Sequence, residues 1–417
     1  MRNKTTSLTI LALALAAGGT TAMAAPTTTT NSATDADGVR ALVAEMIADA
    51  ESRSSLLQSG GTAGHDGNFF LSSADGNFNL KMSGQLQTRY TTNFNDDNAA
   101  DDFTPGFNLP RTALRFEGQI FGDFGYAIQG DFNRAGGTFM LEDAYMHTDL
   151  GDGLTLLWGQ LRMPVLWEDM LYEKYSLAVD QSVSNAVFGQ GRSQGIWLHQ
   201  SNDDYRWWAG FSDGVNSANT DFGASPADYA LTGRFEWKAA GDWSQFNQFS
   251  SARGSEYAAK IGVAAHWQQS PDVPATPDTT VFAYVVDAMA AGDGWNAFAS
   301  FVGFNTDTDG VPTTDDFGVV VQGGVFVDDD WEVFARYDGV FADSSRPNND
   351  DFNTITAGAN YYIHGQAAKF SIDLTWFLDS TTGNDLVNGV AGANSIGLMP
   401  SAEEDQIAIR AQFQLLF

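Results

Sequence analysis

The chain has 417 residues, with 21 basic against 52 acidic side chains and a formal net charge of -31. So acidic a chain excludes nucleic acid as a partner, because the phosphate backbone would repel it. No cysteine is present, so disulfides take no part in folding. The 43 glycines, 13% aromatic residues and only 18% charged residues suit an all-β chain.

At the N-terminus, Arg2 and Lys4 precede an apolar run from Leu8 to Ala17 and then Ala22-Met23-Ala24. This is the pattern of a signal peptide over residues 1–24, and its apolar run is too short to span a bilayer as a helix. Residues 25–34 are Thr-rich, and a disordered segment is expected there. Over residues 35–57 the spacing of Val39, Leu42, Val43, Met46, Ile47, Ala50 and Leu57 predicts a short amphipathic helix, capped by Asp35 or Asp37. Such a stripe needs a partner, either copies of itself in a periplasmic coiled coil or another surface. Ser59 to Gly67 reads as a Gly-rich linker, so residues 25–75 precede the main domain.

From Gly76 the period becomes two. Phe78, Leu80, Met82, Leu86 and Tyr90 alternate with polar residues; so do Thr112, Leu114, Phe116 and Ile120, then Tyr229, Leu231, Phe235 and Trp237, then Phe370, Ile372, Leu374 and Trp376. The last strand carries Ile407, Ile409, Ala411, Phe413, Leu415 and the terminal Phe417 on one face. A soluble sandwich would bury such faces, whereas a membrane barrel turns them to lipid and its polar faces to water. The signal peptide and the aromatic terminal strand favour the barrel. Sixteen strand-like runs follow one another, joined by alternating short and long connections. Short ones, such as Gly151-Asp152-Gly153 and Asp328-Asp329-Asp330, suit periplasmic turns. Long ones, such as residues 93–108, 164–191 and 379–404, suit extracellular loops. Gly241 to Glu256 is long on the turn side and reads as a periplasmic excursion. The expected fold is thus all-β: a 16-stranded antiparallel transmembrane β-barrel over residues 76–417, preceded by a short N-terminal periplasmic helix.

Four segments carry a family likeness: RTALRFEGQIFGDFGY at 111–126, LEDAYMH at 141–147, LTLLWGQLRMP at 154–164 and GRSQGIWL at 191–198. In this order and spacing the chain resembles the phosphate-selective porin O/P family. The resemblance implies a sixteen-stranded, usually trimeric diffusion channel in the outer membrane, with a third loop that folds into the lumen and narrows it.

Selectivity of a pore comes from the charges lining its narrow part. Alternation turns Lys81, Arg89, Arg111, Arg115, Arg162, Arg206, Arg234, Lys238, Lys260, Arg336 and Arg410 inward, together with acids such as Glu117, Asp131, Asp287, Glu332, Asp338 and Asp373. Lys174 and Arg192 lie in or just after the long 164–191 loop, beside Glu168, Asp169, Glu173 and Asp180. The candidate pore-lining or solute-binding residues are therefore Arg89, Arg111, Arg115, Arg162, Lys174, Arg192, Arg234 and Lys238. Either these cations line an anion path or they pair with the acids and merely solvate the wall. The mixed charge of the loop, and acidic outer loops such as Asp96-Asp97 and Asp350-Asp351, argue against strict phosphate specificity.

Other motifs are weaker. Asn305 to Gly310 with Asp316 resembles a calcium loop but has Asp where Glu is usual; the alternative is an Asp-Gly turn. The histidines show no metal spacing, and no Gly-x-Ser-x-Gly or His-Glu-x-x-His motif appears, so no metal, cofactor or catalytic activity is expected. Trp207, Trp208, Trp237, Trp267, Trp331 and Trp376 read as lipid-facing or girdle aromatics. Two functions compete: a passive channel for small hydrophilic solutes or anions, set in outer-membrane lipid as a homotrimer, and a structural or adhesive barrel whose acidic loops bind cations or surface polymers.

Overall fold

The computed structural model describes residues 44–45, 61–96, 102–274, 276–392 and 395–417. The signal peptide, residues 25–34 and most of the helix expected over 35–57 lie outside the described residues; Ala44 and Glu45 are helical. Residues Gly60–Phe417 form one compact unit.

The chain forms β1 (Thr62–Asp66), β2 (Asn68–Ser72), β3 (Asn79–Phe94), β4 (Phe103–Ile120), β5 (Phe124–Phe132), β6 (Phe139–Gly151), β7 (Leu154–Arg162), β8 (Arg192–Ser201) and β9 (Tyr205–Ser212). It continues with β10 (Tyr229–Ala240), β11 (Ala258–Gln269), β12 (Thr279–Gly292), β13 (Trp295–Thr308), β14 (Thr314–Phe326), β15 (Trp331–Phe341), β16 (Phe352–His364), β17 (Ala368–Phe377) and β18 (Gln406–Leu416). From β3 onward each strand pairs antiparallel with the next, and β18 pairs with β3, closing a barrel of sixteen strands. Closure leaves no open edge to water or lipid.

β1, in the segment that the sequence assigned to a linker, makes a hairpin with β2 just after it. β18 is shorter than β3, so the first residues of β3 lack that neighbour; β2 takes its place, pairing Phe69 with Met82 and Ser72 with Asn79. The change of partner falls at Gly84. Its N–H donates to the Phe417 carbonyl at 2.7 Å, and a Cβ there would lie 2.3 Å from the Phe417 ring. Glycine lets the terminal aromatic lie flat against the start of the barrel.

Outward positions are apolar and exposed, as alternation requires: Phe370, Ile372, Leu374 and Trp376 on β17, and Leu231, Phe235 and Trp237 on β10. Inward positions divide into two kinds. On β3–β8 they are mostly polar. On β11–β16 many are apolar and buried, including Val285, Phe298, Val302, Val320, Phe334, Val340 and Phe352. That second face is covered from within. Two helical turns of the third loop, α1 (Trp167–Met170) and α2 (Val183–Phe188), pack there with α3 (Asp385–Val390), Ile396 and Leu398 of the last loop. The connection after β10, expected as a periplasmic excursion, instead turns into the barrel. Its Phe246 and Phe249 are fully buried against Phe298, Met289 and Leu177, each contributing about 1.5–3 kcal/mol of apolar burial.

Candidate functional site

The third loop crosses the lumen because the wall holds its backbone. Pro164 ends β7, since proline has no N–H to continue the ladder. Glu168 then folds the loop on itself, accepting from Ser182 N and Ser182 Oγ at 2.8 and 2.6 Å. Ser182 caps α2 by accepting from Asn185 N at 2.9 Å. The Asp338 carboxylate on β15 accepts the next two amides, from Val183 and Ser184. A side chain on Gly318 of β14 would strike Ser184 Oγ and the Phe188 ring, so glycine there lets α2 seat against the wall. Further contacts run along the packed side. Arg234 donates to Val165 O, Arg336 to Asp180 O, Asn360 to Leu177 O and Lys369 to Ser176 O, while Asp373 accepts from Val179 N.

Inside the barrel the third loop meets the inward turn after β10, where Phe249 N–H donates to Tyr175 O at 3.3 Å. Ser250 of that turn donates to Glu332 on β15, which also accepts from Tyr362 and Asn296. The β10–β17 half of the lumen is therefore filled by protein.

Cavities lie opposite the filling, along β3–β8. One of about 290 Å³ is lined by Gln85, Arg111, Gln129, Asp131, Glu142, Arg162, Tyr172, Glu173 and Arg192, among others. A second, of about 410 Å³ and nearer the short turns, is lined by Lys81, Glu117, Tyr145 and His147. Arg115 on β4 is bonded to Glu117, which lines the second cavity, and to Asp143 and Tyr145 on β6.

The eight candidates separate accordingly. Arg111, Arg115, Arg162 and Arg192 come together on the open arc, with Lys174 at the loop tip. Each of these arginines has carboxylate partners: Asp180 and Glu173 for Arg111; Glu117 and Asp143 for Arg115; Asp169 and Glu173 for Arg162; Glu142 and Asp143 for Arg192. Lys174 has no ion pair among the described residues; its Nζ lies 5.7 Å from the Tyr172 ring centroid and 5.3 Å from that of Tyr175. Arg89 and Arg234 point inward but end against protein. Arg89 is bound by Asp180, Gln412 and the Val179 carbonyl, and Arg234 by Glu236 and Asp287. Lys238 stands apart, near the short turns over the Trp243 ring.

Tyr172 was not foreseen. Its φ of 58° lies in a region that bulky residues rarely occupy. The strained backbone holds the ring 4.1 Å from the Arg162 guanidinium and lets the hydroxyl donate to Asp143 at 2.7 Å. Nothing in the sequence marks it, because both partners are distant in the chain. Charges on the loop respond to this setting. Burial opposes ionisation of Glu173, but Arg111 and Arg162 outweigh it and draw its pKa down to about 2. Burial, with Arg115 nearby, lowers Lys174 below the usual lysine value.

Two further expectations meet the structure differently. The calcium-like segment is the tip of the β13–β14 hairpin, where Asp316 is taken by Arg346. No group of three or more metal-ligating side chains occurs among the described residues. Trp208 is a correction to the lipid-facing set: it turns inward, stacking on His199 at 4.6 Å, while Arg206 lies 5.2 Å from its ring centroid. Trp207 and Trp208 are adjacent, and neighbours on a strand face opposite ways.

A closed sixteen-stranded barrel with a greasy exterior, narrowed by an inserted third loop, is the architecture of an outer-membrane porin. Residues 80–415 match the phosphate-selective porin O and P family, and the chain belongs to it. It is an outer-membrane diffusion channel. Among solved structures it is similar to an anion-selective porin from Comamonas acidovorans (13% identity, TM-score 0.56, covering 81% of this chain and 99% of that one). It is also similar to the outer membrane channel DcaP of Acinetobacter baumannii (13%, 0.56, 82% and 99%) and to OmpF of Salmonella typhi (15%, 0.54, 85% and 100%). No curated protein matched the chain.

Proposed function

We propose that the protein is a passive, water-filled channel for small hydrophilic solutes, that solutes pass along the β3–β8 arc, and that the channel favours anions weakly. Arg111, Arg115, Arg162, Arg192 and Lys174 are the lining cations of this path. Arg89 and Arg234 serve instead to hold the third loop, and Lys238 lies away from the path. No catalytic step belongs to this reading. The working unit is a homotrimer in outer-membrane lipid, in keeping with the family and with the exposed apolar outer wall.

The observation that carries the weak preference is Lys174. The arc's arginines are matched by acids, so their charges largely cancel at a distance. Lys81 and Lys174 have no ion-pair partner among the described residues, and Asp131 is the unmatched acid beside them. Two unpaired ammonium groups against one unpaired carboxylate are the contacts that tip permeation toward anions without making a phosphate filter. The structural or adhesive alternative predicts a barrel that conducts nothing. Purified protein in planar bilayers decides between them. Discrete open steps with a reversal potential on the anion side support the channel, and a silent membrane rejects it. A cation-side reversal potential would reject the anion preference alone.

A further inference from the structure

We propose that the 290 Å³ cavity on the β3–β8 arc is a subsite for small zwitterions that carry a carboxylate and an ammonium group a few bonds apart, as amino acids do. The proposal rests on the channel reading above and names a solute class for it.

Charges of both signs line this cavity in an order set by the strands. Arg111 is on β4, Asp131 on β5, Glu142 on β6 and Arg192 on β8. An acidic stretch of wall is thus flanked by guanidinium groups. Within it, Asp131 differs from its neighbours. Glu142 is paired with Arg192, and Glu173 with Arg111 and Arg162, whereas Asp131 has no ion pair among the described residues. Its one side-chain hydrogen bond accepts the Thr112 amide at 2.8 Å. A carboxylate without an ion-pair partner at the edge of a cavity is suited to an ammonium group.

Three donors on residues lining the same cavity lack acceptors, Nε of Arg162 among them. Gln85 is only 8% exposed, yet its Nε2 has no hydrogen-bond partner; neither does Nη2 of Arg192. Native proteins rarely leave such groups unsatisfied. After a small torsional adjustment, a solute carboxylate would supply the missing acceptor. A simple anion could use these donors but would also meet Asp131, Glu142 and Glu173. A simple cation could use Asp131 but would meet the arginines. Only a solute with both charges satisfies both sets.

The test uses intact protein in planar bilayers near pH 7. Current noise and conductance are recorded while β-alanine, 3-hydroxypropionate, 3-aminopropanol or 1,3-propanediol is added, four solutes of similar length and different charge. The proposal expects saturable retention of β-alanine at millimolar concentration, at least about threefold stronger than that of any of the other three. Asp131→Asn keeps an oxygen for the Thr112 amide and so preserves assembly. It should weaken β-alanine retention by about fivefold while leaving 3-hydroxypropionate unchanged or stronger. Asp131→Glu should retain most of the effect. If wild type holds 3-hydroxypropionate as well as β-alanine, or if Asp131→Asn changes neither, the zwitterion subsite is overturned. If the variant fails to assemble, the wild-type comparison of solutes decides. Open steps without β-alanine retention remove the subsite alone, whereas absence of open steps removes the channel reading itself.

Discussion

The two halves of the barrel use arginine in opposite ways. On the β10–β17 half, Arg234 and Arg336 are fully buried and bind loop carbonyls as well as acids. On the β3–β8 half, Arg111, Arg115, Arg162 and Arg192 keep part of their surface exposed and are held mainly by carboxylates, those of Asp169, Glu173 and Asp180 on the loop and of Glu117, Glu142 and Asp143 on the wall. Apart from Arg89, which β3 sends into the loop, the same residue type is mortar on one side and lining on the other. The difference is made by the neighbouring inner positions. Where Val285, Phe298, Val302 and Phe352 face inward, loops are drawn onto the wall and water is excluded. Where Gln85, Gln129, Asp131 and Tyr145 face inward, water stays.

The largest effect expected from breaking this arrangement is loss of the loop's hold. Asp180 on the loop joins Arg89 and Arg111 on the wall, and the side chains of Asp180 and Arg89 are almost wholly buried. Removing one partner of a buried pair costs about 3–5 kcal/mol, because the other charge is left uncompensated. Asp180→Asn should therefore keep the barrel, seen as intact heat-modifiable migration in detergent gels. It should lower the thermal transition and add large conductance fluctuations as the loop detaches. A quiet channel with unchanged stability would mean that the loop is held by apolar packing alone.

A second expectation concerns selectivity. Replacing Arg111, Arg115 and Arg162 by Gln should move the reversal potential toward cations. Arg336→Gln on the packed half, in a variant that still assembles, should leave it where it was. Equal shifts from both would erase the distinction between lining and mortar.

Smaller still is a pH effect. Lys174 lies below the usual lysine pKa of about 10.4, because burial disfavours its charge. The group loses its proton earlier than an exposed lysine as pH rises. Anion preference should therefore fall as pH climbs toward 10, and Lys174→Gln should show low preference with little pH dependence. Glu173 carries the opposite sign. Its pKa is depressed to about 2, so its contribution to loop anchoring is complete above the unfolded value near 4.3 and is lost only as pH drops toward 2. Constriction should persist at pH 5.

Much of the barrel was readable from alternation alone. Phe370-x-Ile372-x-Leu374-x-Trp376 reports an outward face because its intervening residues are polar. Alternation measures a contrast between faces, so it falls silent where both are apolar, as on β13 with Phe298 and Phe301 on opposite sides. That silence hid the packed half and the inward course of the turn carrying Phe246 and Phe249. The β1–β2 hairpin was invisible for another reason: its partner is the edge left by a strand more than 300 residues away in sequence. Alternation could place the candidate cations on the polar face, but their partners, such as Asp180 for Arg89, lie 91 residues off and follow from the loop's path.

The route itself can be tested directly because the chain contains no cysteine. Single substitutions Gln129→Cys, on the open half, and Thr356→Cys, buried on the packed half, give inward thiols whose reaction with a charged methanethiosulfonate can be read as a step in single-channel current. Rapid reaction and a conductance drop are expected for Gln129→Cys, and no reaction for Thr356→Cys. Rapid modification of Thr356→Cys with a silent Gln129→Cys would contradict this route, and would put the water path through the half of the barrel described here as filled.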